Sequence, residues 1–335
     1  MVKRRKLKKI ILLVCLLLIV VIGSVYLLDF SKFQVSWGVT FSREYTQNEL
    51  GLDWQETYLA ILDDLKIDHL RLSAYWDYIE NEKDRYDFAD FDWQVAEASR
   101  RDVKLILAVG RRLPRWPECH DPAWLSSATT EEVEAKQLAF IEEVVKRYDS
   151  NQNVIYWQVE NEPYLKFFGK CPPLDKEFLK KEIQLVKSLS DKPILITDSG
   201  ELSFWLSAGE SGADILGTTL YRVVYNERFG YLNYFFPPVF YTAKVWLLKA
   251  LTPIEKVIVT ELQAEAWHTE DKDLREMTNA EAFESLDLKQ FRSNIKFARR
   301  AGFTEVYLWG VEWWYFLKTQ RGDDSFWQEA KKLWQ

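Results

Sequence analysis

The sequence has 335 residues, 47% of them hydrophobic and 15% aromatic, which is enough apolar material for one large core and too much for a disordered chain. The net charge is −7, and because a cluster of basic residues precedes the first acid, Asp29, the rest of the chain is more acidic still. Such a surface repels phosphate backbones, so we expect no nucleic-acid partner.

The chain begins with a basic stretch, residues 1–9, followed by an apolar run over residues 10–28. A helix rises about 1.5 Å per residue, so this run is long enough to cross the hydrocarbon core of a bilayer. We expect a single-pass signal anchor in a lipid bilayer, with the basic stretch in the cytoplasm and the remaining chain on the extracytoplasmic side of the membrane. A cleaved signal peptide is the alternative, since it also begins with a basic segment.

From residue 34 to residue 335, short β-rich runs alternate with helical patterns. This alternation predicts parallel βα units in a single domain, and eight such units favour a (β/α)₈ TIM barrel of the α/β class over an open sheet. No Gly-rich turn follows the first strand, so no dinucleotide or other cofactor is predicted. The predicted strands are Val35–Phe41, His69–Ala74, Lys104–Val109, Val154–Glu160, Ile194–Thr197, Ile215–Leu220, Lys256–Thr260 and Glu305–Trp309. Helical patterns include Glu131–Tyr148, Lys176–Leu189 and Leu288–Ala301.

Two of these strands deliver carboxylates at their ends. The fourth runs into Asn161–Pro163, which contains Glu162, and the seventh runs into Glu261. In TIM barrels the functional residues follow the C-terminal ends of the strands. Cleavage of a glycosidic bond requires two carboxyl groups that face each other across the bond, one protonated and one ionised, and this pair is suited to that task. Glu160 shares the strand parity of Glu162, and we expect it one layer deeper, paired with Arg71.

Four segments resemble the motifs of the clan A glycoside hydrolases, which include the cellulase-like family 5 and families 39, 35 and 42. Trp157–Pro163 and Ile258–Glu261 resemble the two carboxylate motifs, and Leu70–Trp76 and Leu308–Gly310 are similar to the second and eighth strand regions. The resemblance spans nearly the entire predicted domain. It implies a retaining β-glycosidase that hydrolyses β-O-glycosidic bonds in an oligo- or polysaccharide.

The resemblance also assigns roles to residues. Glu162 is implied to be the general acid/base and Glu261 the nucleophile. Asn161 is expected to bind the sugar 2-hydroxyl, and Arg71 to keep Glu261 ionised, because a nearby guanidinium lowers a carboxylate pKa. Tyr221, at the end of the sixth strand, is expected to hydrogen-bond to Glu261, with core packing as the alternative.

Aromatic residues supply candidate sugar contacts. The resemblance implies that Trp309 forms the floor of the subsite where the sugar is distorted. Trp267, in the loop after the seventh strand, is expected to contact sugar. For Trp76, a subsite wall and packing beneath a loop are equally favoured. The aromatic stretch 225–241 is interpreted as packing, sugar stacking or bilayer contact, with packing favoured.

The sequence departs from family 5 in two places. Family 5 members typically have a histidine after the third strand, whereas this chain has Gly110–Arg112; either arginine or His120 is a candidate replacement. The nucleophile is followed by Leu262 and Gln263 rather than by Phe-Gly. Both departures concern the specificity of the inner subsite.

The cysteine and histidine residues bear on two further features, a disulfide and a metal site. Cys119 and Cys171 fall in loops predicted to lie side by side, and in an oxidising compartment we expect a disulfide between them rather than two free thiols. The histidines show no metal-ligand spacing, so no metal site is predicted; they are His69, His120 and His268.

Two alternative functions share the same barrel. One is a catalytically inactive carbohydrate-binding membrane protein, which would have no need for Glu162, Glu261, Asn161 and Arg71 together. The other is a transglycosylase that uses the same carboxylates. The sugar, the linkage, endo or exo action and the oligomeric state are left open by the pattern.

Overall fold

The computed structural model of the protein describes residues 23–24, 27–31, 34–166, 168–269 and 271–335. Nearly all of the predicted anchor, residues 10–28, and the whole basic stretch, residues 1–9, lie outside these described residues. Within the described part of the chain, no helix combines the length and apolarity needed to cross a membrane.

Eight parallel strands close a barrel in which they follow one another in their order along the chain. The predicted (β/α)₈ barrel is therefore confirmed, and each predicted strand is present. The barrel strands are β1 Ser36–Phe41, β2 His69–Ser73, β3 Lys104–Val109, β4 Val154–Val159, β5 Ile194–Asp198, β6 Ile215–Leu220, β9 Lys256–Gln263 and β10 Glu305–Trp309. β7 Val223–Asn226 and β8 Gly230–Asn233 pair separately as an antiparallel hairpin.

Helices connect the barrel strands and cover their outer faces. The helix Thr130–Tyr148, α4, shows how local sequence sets a boundary. The Thr129 side chain accepts from the backbone N–H of Glu132 and the Glu132 side chain accepts from that of Thr129, a capping box. The helices are α1 Trp54–Ala60, α2 Trp76–Ile79, α3 Ala89–Arg100, α4 Thr130–Tyr148, α5 Lys176–Leu189, α6 Leu206–Gly209, α7 Pro238–Leu251, α8 Asn279–Ala282, α9 Leu288–Arg300, α10 Val311–Gln320 and α11 Ser325–Lys331. Shorter turns are Tyr45–Glu49, Ile61–Leu65 and Ala123–Ser127.

The barrel interior is filled from below by an apolar layer. The side chains of this layer come from five strands and are Ile106, Leu195, Ile215, Ile258 and Tyr307. A Cβ at Gly38 would lie 2.6 Å from the Tyr307 ring, so the ring occupies space that only glycine leaves open. Above this layer, towards the C-terminal strand ends, the interior becomes polar, and the candidate site begins there.

The aromatic stretch after β6 is more ordered than the loop that the sequence analysis described. It contains the β7–β8 hairpin and the first turns of α7. Phe236 stacks on Phe240 with ring centres 4.4 Å apart, and Tyr225 meets Tyr231 at 5.3 Å. These four aromatic side chains therefore pack against one another in two pairs.

Candidate active site

The end of β4 places two carboxylates on different sides of the barrel wall. Glu160 and Glu162 both have left-handed backbone conformations, with φ of +60° and +43°, which cost non-glycine residues about 1–3 kcal/mol each. The alternation of side chains between the two faces of the strand ends there. The Glu160 carboxylate accepts from the backbone N–H groups of Arg111 at 2.6 Å and Arg112 at 2.7 Å. The expected pairing of Glu160 with Arg71 is therefore wrong, because the parity argument does not extend past Val159.

Arg71, in β2, is fully buried, and its hydrogen bonds connect β2 to β4 and β9. Its Nη1 donates to Oε1 of Glu261 at 3.0 Å, and its Nη2 donates to Oδ1 of Asn161 at 2.8 Å. Its Nε donates to Oε1 of Gln158 at 2.8 Å. A buried guanidinium is tolerated only when it is paired and hydrogen-bonded, and these partners meet that requirement. The arginine thus fixes the positions of Glu261 and Asn161 relative to each other.

Glu261 has a second partner on its other oxygen. The Tyr221 hydroxyl donates to Oε2 of Glu261 at 3.1 Å. Burial and the charge of Glu261 raise the pKa of Tyr221, so the phenol stays protonated and remains a donor. The half-buried Trp267 meets Tyr221 edge to face, with ring centres 5.4 Å apart. Trp267 therefore lies next to the tyrosine that donates to Glu261.

The Asn161 side chain is held in one orientation by the hydrogen bonds that its oxygen accepts. Oδ1 of Asn161 accepts from Arg71 and from Oγ1 of Thr197 at 3.1 Å, and the Thr197 hydroxyl in turn accepts from the backbone N–H of Glu162 at 2.7 Å. These contacts direct the Asn161 Nδ2 group to the opposite side, where it donates to Oε2 of Glu118 at 3.1 Å.

Glu162 is 7% exposed, and its Oε1 has no hydrogen-bond partner among the described residues. Burial raises the pKa of this carboxyl, and the negative charges of Glu261, Glu118 and Asp198 raise it further. A carboxyl in such surroundings holds its proton near neutral pH and can donate it. The two strand-end carboxyls thus occupy different environments: Glu261 is paired with a cation, whereas Glu162 is not.

Glu118 belongs to this group, although its position in the sequence did not predict it. It lies in the loop after β3, is 4% exposed and has a left-handed φ of +73°. Burial raises its pKa to about 8, although Arg112 opposes the shift. The signal available in the sequence was weak, since an acid in a long loop is usually solvated.

The three candidate replacements for the family 5 histidine make the following contacts. Arg111 pairs with Asp121, and the buried Arg112 donates to the backbone oxygen atoms of the segment after Glu162. The His120 ring packs on Tyr75, with ring centres 4.3 Å apart. The same loop instead brings Glu118 to Asn161.

Trp309 lies at the end of β10, and Arg115 covers part of it. The guanidinium carbon of Arg115 is 4.1 Å from the Trp309 ring centre and 3.6 Å from that of Tyr45. Arg115 also pairs with Glu265 at 2.6 Å and with Glu312 at 3.1 Å. The loop after β3 is therefore fixed across the β1 and β10 side of the barrel mouth.

Trp76 does not reach the barrel mouth, so its assignment as a sugar contact is corrected. Its side chain is fully buried, stacks on Phe140 of α4 at 5.6 Å and donates from Nε1 to Glu80 at 2.7 Å. Because the ring packs against α4, the side chain belongs to the core between strands and helices. Packing is the role that this geometry supports.

A disulfide joins Cys119 to Cys171, with Cα atoms 5.3 Å apart. It connects the loop after β3 to the loop after β4, next to Glu118. Among the residues that the structure describes, no group of three or more His, Cys, Asp and Glu side chains is placed to hold a metal ion.

Comparisons with known proteins match part of the sequence to a family model and match the fold of the barrel to solved structures. The cellulase family, glycosyl hydrolase family 5, matches residues 31–191, which run from β1 to α5. No curated protein matches the chain by sequence.

Solved structures show the same barrel at low identity. An endo-β-1,4-xylanase of glycoside hydrolase family 10 from Gloeophyllum trabeum shares 15% identity, with 84% of this chain and 85% of that chain covered and a TM-score of 0.55. A β-glucosidase from Exiguobacterium marinum shares 16%, with 84% and 90% covered and a TM-score of 0.54. A GH5_18 protein from Bifidobacterium longum subsp. infantis shares 12%, with 83% and 70% covered and a TM-score of 0.58. In sequence from β1 to α5 and in fold throughout the barrel, the predicted resemblance to the clan A glycoside hydrolases is confirmed.

Proposed function

We propose that the protein is a retaining β-glycosidase, with Glu162 as general acid/base and Glu261 as nucleophile. The observation that carries this proposal is the contrast between the two carboxyls. Glu261 receives hydrogen bonds from Arg71 and Tyr221, whereas Oε1 of the buried Glu162 has no partner among the described residues. A double displacement requires one ionised and one protonated carboxyl, and these surroundings favour that division.

In the first step, Glu162 gives its proton to the glycosidic oxygen as that bond breaks, and a Glu261 oxygen forms a bond to the anomeric carbon. In the second step, Glu162, now ionised, takes a proton from water as the water oxygen displaces Glu261. Arg71 and Tyr221 each donate a hydrogen bond to the Glu261 carboxylate, which holds it in place as a nucleophile and later as a leaving group.

The sugar ring is held by groups around the carboxylates. The Asn161 amide, fixed by Arg71 and Thr197, donates from Nδ2 to the 2-hydroxyl, and this contact strengthens as positive charge develops on the ring. We assign Trp309, at the end of β10, and Trp267, after β9, as further sugar contacts. The substrate class is an oligo- or polysaccharide with β-O-linked units.

We also propose that residues 10–28 anchor the barrel in a membrane and that its mouth faces the extracytoplasmic side. Two features of the protein support this arrangement. The apolar run follows a basic segment, and the barrel contains a disulfide between Cys119 and Cys171, as expected of an oxidising compartment.

The test is hydrolysis of a panel of aryl β-glycosides, with the anomer of the first-formed product followed by proton NMR. We expect the β-anomer to appear first. Glu261→Gln should reduce turnover by ~10³-fold or more while leaving the unfolding temperature near that of the wild type. An α-anomer as first product, or full activity of Glu261→Gln, would refute the mechanism. New glycosides instead of free sugar would identify a transglycosylase.

A further inference from the structure

The outward surface of α7 is unusually apolar. Trp246 is 72% exposed, Leu247 is 45% exposed and Leu251 is 60% exposed. The buried residues of this helix, Tyr241 and Leu248 among them, lie on its inner side. A surface helix of a soluble domain normally has polar residues on its outer side, whereas α7 has large apolar residues on both sides.

The loop after β5 extends this surface with two more apolar side chains. Leu202 is 52% exposed and Phe204 is 90% exposed. The loop is held firmly against α7, because Lys244 donates from Nζ to the backbone oxygen atoms of Gly200 at 2.7 Å and Ser203 at 2.8 Å. Phe204 therefore projects into solvent from a fixed position.

We call the exposed apolar side chains of α7 and of the loop held against it the α7 patch: Leu202, Phe204, Trp246, Leu247 and Leu251. Leu247 and Leu251 follow Lys244 by three and seven positions, so they lie on the helical stripe that the loop contacts. An exposed apolar area of several side chains on a folded domain indicates an interaction surface.

The chain enters the barrel close to this patch. The backbone N–H of Phe30 donates to the oxygen of Arg300 at 3.0 Å, and Oγ1 of Thr242 in α7 donates to the oxygen of Ala301 at 3.0 Å. Thr242 lies one helical turn before Trp246. The apolar run 10–28, which the sequence predicts to be a membrane anchor, therefore joins the barrel beside α7.

We propose that the α7 patch inserts into the interfacial region of the bilayer that holds the anchor, so that the barrel lies against the membrane on its α7 side. Exposed phenylalanine, tryptophan and leucine, with the exposed Lys249 next to them, are typical of protein surfaces that enter this region. A bilayer is favoured over a second copy because the anchor holds the patch next to lipid. The inference rests on the proposed anchor and is independent of the proposed catalysis.

The test uses the full chain with Cys15→Ser, reconstituted in vesicles of phosphatidylcholine and phosphatidylglycerol. An environment-sensitive fluorophore is attached to Phe204→Cys or Leu247→Cys, while the disulfide-bonded Cys119 and Cys171 do not react. The matched control is Ala89→Cys, an exposed position on α3, on the opposite wall of the barrel. Lipids carrying a nitroxide on the upper acyl chain act as quenchers.

At positions 204 and 247 we expect the emission of the fluorophore to shift to the blue and to be quenched by the nitroxide lipids. At position 89 we expect neither effect. Equal and weak quenching at all three positions would overturn the proposal. A blue shift that depends on the protein-to-lipid ratio without nitroxide quenching would assign the patch to a second copy and also overturn it. Release of the full chain from membranes by alkaline carbonate would refute the anchor, whatever the glycosidase assay shows.

Discussion

The side-chain amide of Asn161 donates a hydrogen bond to the Glu118 carboxyl over a distance of 3.1 Å. The two residues belong to different βα units, since Glu118 follows β3 and Asn161 follows β4. Because Oδ1 of Asn161 is fixed by Arg71, Nδ2 cannot turn away from Glu118. The group that we propose for the 2-hydroxyl of the sugar is thus flanked by a third carboxyl.

Replacing Glu118 with Gln should therefore lower kcat/KM about 3- to 10-fold for glycosides that carry a 2-hydroxyl, which corresponds to the loss of one hydrogen bond between uncharged groups. The 2-deoxy analogues should lose less, because they lack the hydroxyl that Asn161 and Glu118 would hold. Steady-state kinetics on matched pairs of aryl glycosides measures this difference. Glu177→Gln, at an exposed position on α5, is the control. An equal loss on both substrates would show a purely structural role for Glu118.

Glu162→Gln should slow glycosides with poor leaving groups by ~10²- to 10⁴-fold and affect activated aryl glycosides much less in the first step. The pH profile gives a second measurement. Glu162 must be protonated to donate, and its pKa is raised, so the activity of the wild type should fall as the pH rises through that value. The variant should lack this decrease of activity at high pH. An unchanged decrease in the variant would show that a group other than Glu162 causes it.

The stability of the protein should decrease as the pH rises from about 5 to about 8. Burial raises the pKa of Glu118 to about 8 and the pKa values of Glu201 and Glu312 to about 7. Between the ordinary value and these raised values, the folded state retains protons that the unfolded state has released, so raising the pH favours unfolding. Thermal unfolding between pH 5 and pH 9 measures this trend, and Glu118→Gln should flatten it. A Tm that rises over this range would contradict the prediction.

Removal of the disulfide through Cys119→Ser and Cys171→Ser together should lower the free energy of unfolding by about 2–4 kcal/mol. Activity should also fall, because Cys119 adjoins Glu118 and the cross-link holds the loop that carries it. Denaturant unfolding and kcat/KM are the two measurements. Cys15→Ser, at a position outside the described residues, is the control. Wild-type activity in the double variant would show that other contacts of the loop are sufficient.

Two tryptophans should respond differently to truncation. Trp76→Ala should cost about 3–5 kcal/mol of stability, because a fully buried indole leaves a cavity, while the KM of the folded protein stays near the wild-type value. Trp267→Ala should raise KM with a smaller effect on stability, because the half-buried ring lies beside Tyr221 at the mouth. Chemical denaturation and saturation kinetics on both variants separate the two effects. The reverse pattern would restore Trp76 as a sugar contact.

The order of strands and helices was determined by the sequence itself. Periodicity and the turn residues between runs are local properties, and they predicted all eight barrel strands and the bounds of helices such as Lys176–Leu189. The strand-end rule of TIM barrels then placed Glu162 and Glu261 at one mouth, where the structure also has Arg71, Asn161 and Tyr221.

Other features depended on contacts between distant parts of the chain. Strand parity failed at Glu160, because a left-handed residue at the end of β4 turns that carboxylate outward. Glu118 gave almost no local signal, since only the path of the loop after β3 brings it to Asn161. Likewise, Trp76 became part of the core because α4 covers it with Phe140. Local patterns set which elements form, whereas the direction in which a loop side chain points is decided only when those elements pack.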